Sequence, residues 1–129
     1  ENLEKVLKKK KKIHETYINF FKNCEFASIL RSPVYANNNN WMNVLILKNE
    51  IMLDIDEIVA YFKNNNIEIR PVWHPNHLQA PYSSCQSFKI ENAMKLVSRS
   101  ICLPSSYSLG DAQIEKIFST FIKYMEASS

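Results

Sequence analysis

Asn66-Ile67-Glu68-Ile69-Arg70-Pro71-Val72-Trp73-His74-Pro75-Asn76-His77-Leu78-Gln79-Ala80-Pro81-Tyr82 is the stretch whose reading decides the fold. Ile67 and Ile69 alternate with Glu68 and Arg70, the period of a strand with one buried face. Pro71 has no N–H to give to a ladder and ends it. Prolines 71, 75 and 81 then forbid a regular helix, so residues 71–86 read as an irregular loop displayed at a strand end, where binding groups usually sit. Arg70, fixed just before a proline, is placed to aim its planar fork at a carboxylate or phosphate. The alternative is a surface arginine paired with a nearby acid.

Upstream, Asp54 with Glu57 three residues later resembles a capping box. Ile55, Ile58, Val59 and Phe62 keep helical spacing until Asn64-Asn65-Asn66 stops them. Before that helix, Trp41 to Leu47 is a mostly apolar run ended by Lys48-Asn49-Glu50, the mark of a buried central strand. Ser32-Pro33 and Asn37 to Asn40 bracket a loop, since asparagine side chains satisfy local backbone groups and tolerate the left-handed region. Leu3, Val6, Leu7, Ile13, Tyr17, Phe20 and Phe21 form one stripe of a long amphipathic helix reaching about Asn23, longer than a small core requires. Its far end is expected to dock elsewhere.

Downstream, Ser87 opens a short helical pattern with Ile90, Ala93, Met94 and Val97 on one face. Ser100-Ile101-Cys102-Leu103 before Pro104 reads as a third strand. Ser108-x-x-Asp111 resembles a second capping box, followed by Ile114, Ile117, Phe118, Phe121, Ile122 and Met125 along one side of a closing helix. The order helix, strand, helix, strand, helix, strand, helix implies an α+β fold. Its sheet is small, mainly three-stranded and covered by helices, in one domain over residues 1–129.

A chain of 129 residues supports one core. The single glycine, Gly110, excludes the glycine-rich phosphate loops of the common nucleotide-binding domains. The net charge of +3 depends on the run Lys8 to Lys12, without which the balance turns slightly acidic. That run reads as a solvated helix surface, and no nucleic-acid partner is expected. No apolar stretch approaches the roughly 20 residues of a membrane span, and the acidic start is unlike a signal peptide. Cys24, Cys85 and Cys102 are odd in number and widely spaced, which fits a reducing compartment, so a cytoplasmic location and no membrane partner are expected. The chain starts without methionine, in mid-helix by its pattern, as a piece of something longer would.

Candidate chemistry is sparse. A metal site at His74 and His77 would need a further ligand, with Cys85 the nearest, and the segment holds no Asp or Glu, so no metal is expected. Cys85 with His77 lacks an orienting acid. Ser105-Ser106 after Pro104 reads as a turn, because a nucleophile elbow needs flanking glycines. No catalytic residue is expected in this chain.

The stretch from Asn66 to Tyr82, followed by Asn92-Ala93-Met94 and Ser100-Ile101-Cys102-Leu103-Pro104-Ser105-Ser106, resembles the C-terminal part of the DegT/DnrJ-type nucleotide-sugar aminotransferases. That family carries a strand leading into an R-P-x-W-x-P-x-H-x-Q-x-x-Y loop, a short helix, an L-P-S turn and a closing helix. The opening helix with Tyr17, and Trp41 leading a strand, match as well, so the resemblance spans nearly the whole chain. It implies the C-terminal small domain of a fold-type-I aminotransferase, with residues 1–23 a helix linking to a missing large domain. The enzyme implied is a homodimer using pyridoxal phosphate to move an amino group from L-glutamate onto a nucleotide-linked keto-sugar, as in surface-polysaccharide or amino-sugar biosynthesis. The Schiff-base lysine and the cofactor would then belong to the large domain, with no cofactor-binding residue here, and this chain would be inactive alone while closing part of the cleft. The resemblance makes Arg70, Trp73 and His77 substrate-facing. Where the family commonly has a glycine before the Arg70 strand, Asn65-Asn66 stands here, and asparagine tolerates positive φ. The competing expectation is a stand-alone binding or assembly module using the basic helix and the Arg70–Tyr82 loop.

Overall fold

The computed structural model describes residues 2–48 and 54–128. Helices α1 (Leu3–Phe21), α2 (Ile55–Asn64), α3 (Glu91–Val97) and α4 (Asp111–Ala127) and strands β1 (Ala27–Ile29), β2 (Asn43–Leu47), β3 (Arg70–Pro71) and β4 (Ser100–Leu103) follow in the chain order α1-β1-β2-α2-β3-α3-β4-α4. Two short 3-10 turns, Asn76–Leu78 and Ala80–Tyr82, occupy the proline-rich loop. The strands form one antiparallel sheet in the order β1-β2-β4-β3.

The α+β class holds, with a sheet of four strands among the described residues rather than the expected three. The added strand, Ala27-Ser28-Ile29, is too short for periodicity to reveal, and it forms because β2 offers it an open edge at Ala27↔Leu47 through Ile29↔Leu45. β2 begins at Asn43, two residues after Trp41, because Asn40 has φ 51° and turns the chain just ahead of it. Asn49 and Glu50, expected to end this strand, lie outside the described residues.

β3 is also shorter than expected. Ile67 and Ile69 are buried and Glu68 and Arg70 exposed, as the alternation requires, yet only Arg70 and Pro71 pair with β4. Alternation reports which face a side chain takes, whereas a ladder needs a neighbour within reach. β3 lies at the sheet edge, the place where a strand proline is tolerated.

α2 behaves as its sequence implies. Asp54 caps it by accepting from the Asp56 N–H at 2.8 Å. At its other end, Asn66 has φ 57°, Asn66 N–H donates to the Lys63 carbonyl at 3.0 Å, and Ile67 N–H reaches back to Phe62 at 3.0 Å. This is a Schellman ending in which asparagine takes the place usual for glycine, with Ile67 and Phe62 both buried beside it.

The other helix starts are corrected. α3 begins at Glu91 rather than near Ser87, Lys89 taking a positive φ of 49° before it, and it buries no residue completely. α4 is entered at Gly110, whose N–H donates to Gln113 Oε1 at 2.8 Å, so Ser108 and Asp111 do not form the expected box. Ile122 is 44 % exposed, and Tyr124 takes the inward place assigned to it. A residue 100° past Phe121 falls on the helix flank.

The core lies on one face of the sheet. Leu45 and Leu47 of β2 and Ile101 and Leu103 of β4 meet Ile13, Tyr17 and Phe21 of α1, Ile58 and Phe62 of α2, and Ile114, Ile117 and Phe121 of α4. Phe118 stacks on Phe20 with ring centroids 3.6 Å apart, tying α4 to α1. Only the second half of α1 is buried, since Leu3 is 69 % exposed and Leu7 38 %. The sheet's other face carries Val44, Cys102 and Arg70 in register, on neighbouring strands.

Candidate functional site

That second face opens into a cleft of about 690 Å³ lined by Trp41, Met42, Arg70, Pro71, Val72, Trp73, His74, Val97 and Cys102. β3 supplies Arg70, β4 supplies Cys102, and α3 supplies Val97. The Val72 N–H holds the loop to the sheet through the Ser100 carbonyl at 3.4 Å.

Arg70 donates from Nε to Glu68 Oε1 at 3.0 Å, and Nη2 shares the same oxygen. The pairing with a nearby acid is therefore real, but both side chains are about three-quarters exposed (76 % and 74 %) and a solvated pair is easily exchanged for another anion. The hydrogen bond and charge of Glu68 raise the Arg70 pKa further, so the guanidinium stays charged at any physiological pH.

Trp73 is 64 % exposed and Trp41 58 % exposed, and the two indoles stack on each other with centroids 5.9 Å apart and planes 27° from parallel. The asparagine run builds the support for Trp41. Asn38 Oδ1 accepts from the Asn40 N–H at 2.9 Å, and Asn39 Oδ1 accepts from the Trp41 N–H at 3.1 Å. These side chains satisfy the loop's own backbone, as asparagine does in turns. Trp41 is the site residue that sequence reading missed. Its signal was available as a large aromatic directly after a polar turn, ahead of the alternating strand.

The structure brings Arg70 and Trp73 together and parts them from His77. His77 lines an adjoining cleft of about 500 Å³ with Tyr82, Cys85 and Phe88, while His74 faces the Arg70 cleft. The two histidines are thus assigned to different hollows. Among the described residues no group of three metal-ligating side chains converges. Ser105 is a turn residue, its hydroxyl donating to the Leu103 carbonyl at 3.0 Å and accepting from Asn43 Nδ2 at 2.9 Å.

That serine belongs to a polar knot behind the cleft. Asn43, only 1 % exposed, faces His14 Nδ1 across 2.7 Å through its Oδ1. Because the amide nitrogen of Asn43 is committed to Ser105, the ring N–H of His14 is the donor. Tyr17 donates to the Pro104 carbonyl at 2.9 Å and Lys10 to the Ser105 carbonyl at 2.7 Å. α1 therefore holds the Leu103-Pro104-Ser105 turn, and Lys10 departs from the solvated role expected of the lysine run. Burial pushes the Tyr17 phenol and the Cys102 thiol up, keeping both neutral.

The fold is shared with part of the solved sugar aminotransferases. DesI, solved in the presence of its TDP-sugar product, superimposes with a TM-score of 0.83 at 16 % identity, over 93 % of this chain and 31 % of that one. Helicobacter pylori PseC, an aminotransferase involved in the biosynthesis of pseudoaminic acid, gives 0.83 at 16 % identity, over 94 % of this chain and 33 % of that one. The chain belongs to the DegT/DnrJ/EryC1/StrS aminotransferase family, whose model matches residues 1–122. It is similar to GDP-perosamine synthase of Vibrio cholerae, 29 % identical over 132 residues that take in 96 % of this chain and 34 % of that protein. The chain thus spans about a third of the length of that relative. Pyridoxal phosphate is the cofactor of this aminotransferase family. No helix among the described residues is long and apolar enough to cross a membrane.

Proposed function

We propose that residues 1–129 are the C-terminal small domain of a pyridoxal-phosphate aminotransferase that transfers an amino group from L-glutamate to a nucleotide-linked keto-sugar. The observation that carries this is the convergence of Arg70 and Trp73 on one cleft of a chain whose family match runs over residues 1–122. GDP-perosamine synthase and the TDP-sugar product of DesI support a nucleotide-linked substrate. The span of a third of its relative supports a missing large domain, to which the exposed first turns of α1 would lead. Homodimerisation, a cytoplasmic location and a place in surface-polysaccharide or amino-sugar biosynthesis belong to the same reading.

Bound pyridoxal phosphate supplies the electron sink for moving the amino group. A Schiff base needs a lysine lodged beside the cofactor, and the Arg70 cleft is lined by none. No step of that chemistry is therefore assigned to this chain. Its residues bind and orient. Arg70 meets the negative charge of the substrate in place of Glu68, Trp73 covers an apolar face, and the wall formed by Met42, Val72 and Val97 keeps water away. His77, which lines a second cleft of about 500 Å³, would face the substrate from there.

The test begins with the coding sequence upstream of Glu1, where an open frame holding a lysine-containing cofactor domain is expected. In that full-length enzyme Arg70→Ala should lower kcat/KM for the sugar at least tenfold and leave the cofactor absorbance unchanged. Unchanged kinetics would remove Arg70 from the site, and a start codon at this boundary would favour the stand-alone module.

A further inference from the structure

We propose that Trp41 and Trp73 together form a stacking platform for the base of a nucleoside diphosphate, with Arg70 beside them for the diphosphate. The inference deepens the reading of a nucleotide-linked substrate and rests on it. Large aromatic side chains are costly to leave in water, and here two are kept more than half exposed, stacked on one another at 5.9 Å. Their backbones are tied separately: the Trp41 N–H donates to Asn39 Oδ1, and Trp73 follows Val72, whose N–H donates to the Ser100 carbonyl. An indole is a bicycle of the same size as a purine, and each ring of this pair, stacked on its partner on one side, stays more than half exposed for a base to cover.

The surroundings select a base over a sugar ring. Lining groups beside the indoles are Met42, Pro71, Val72 and Val97, and the polar ones are Arg70 and His74. A pyranose needs several directional partners for its hydroxyls, and this wall offers few. A base needs a π surface, since stacking on aromatic side chains tolerates any base. Arg70 lines the same cleft, its Nε and Nη2 sharing one exposed carboxylate oxygen. A guanidinium so disposed suits a phosphate group. The cleft, about 690 Å³, is of the size that holds a nucleotide.

Trp41 and Trp73 are the chain's two tryptophans, so fluorescence excited at the red edge, where the six tyrosines do not absorb, reports on the platform alone. The experiment titrates the chain with GDP and with UDP, corrected for absorption by the base, and with inorganic diphosphate and glucose 1-phosphate as probes lacking one. At least one nucleotide should quench the emission saturably and the base-free probes should not. Trp41→Ala, its fold checked by far-UV circular dichroism, should weaken binding about tenfold or more, read on the remaining Trp73, and Trp41→Phe should restore most of it. Emission indifferent to both nucleotides, equal quenching by glucose 1-phosphate, or unchanged affinity in Trp41→Ala would each overturn the proposal. Quenching here beside a full-length enzyme without amino transfer would keep the platform and remove the aminotransferase reading. Amino transfer with nucleotide-blind tryptophans would do the reverse.

Discussion

Tyr17 shows how much one side chain can carry. It is fully buried on α1, and its hydroxyl satisfies the Pro104 carbonyl at 2.9 Å. Burial raises its pKa above the ordinary 10.0, because the phenolate would lose its hydration. A raised acid is neutral in the folded chain over a range where the unfolded chain has ionised. Its stabilisation is complete below about pH 10 and is lost as pH rises through the folded value. Tyr17→Phe should therefore cost about 1–2 kcal/mol at neutral pH by stranding the carbonyl, and the deficit should narrow above about pH 10. Urea denaturation of both proteins across that range checks it, and a deficit that stays constant would show that the phenol titrates freely. Asn43, Ser105 and Lys10 were readable only as residue types, since the partners that give them meaning lie far away in the chain.

At the scale of elements, α2 and its exit were the most legible part of the molecule. A capping aspartate, a 3.6-residue stripe and an asparagine run are local signals, and the physics that answers them is local too. The stop at Asn66 is a specific case, since φ 57° is tolerated by glycine and asparagine but penalises a β-branched side chain. Asn66→Val should destabilise the chain by about 1–2 kcal/mol, whereas Asn66→Gly should be nearly neutral. Thermal unfolding of the two variants measures this, and equal loss in both would point to the asparagine side chain instead of the backbone. β1 and the ends of β3 were not legible, because a three-residue strand carries no period and a ladder depends on the neighbouring strand. The indole pair was half legible: Trp73 stood out in its loop, but nothing local linked it to Trp41, 32 residues away by their numbers.

Across the whole molecule, the sheet separates two jobs. One face is sealed by α1, α2 and α4, and the other presents Arg70, Cys102 and the indoles. The knot around Asn43 joins α1, β2 and the turn after β4 through hydrogen bonds, which predicts that the three loosen together. Asn43→Ala would strand the His14 ring N–H and remove one of the hydrogen bonds to Ser105, at a cost of about 1–3 kcal/mol. Hydrogen exchange should show protection falling together in α1, β2 and the Leu103–Ser105 turn, while loss confined to β2 would show that the knot is not cooperative. The sequence alone determined the class of fold, the placement of α2 and α4, the exposed Arg70 loop and the family resemblance, because each rests on periodicity, turn chemistry or a contiguous motif. Tertiary structure decided the fourth strand, the separation of His77 from Arg70 and the meeting of Trp41 with Trp73. Those depend on which segments the sheet order β1-β2-β4-β3 sets side by side, and contact between distant segments leaves no periodic mark in either of them.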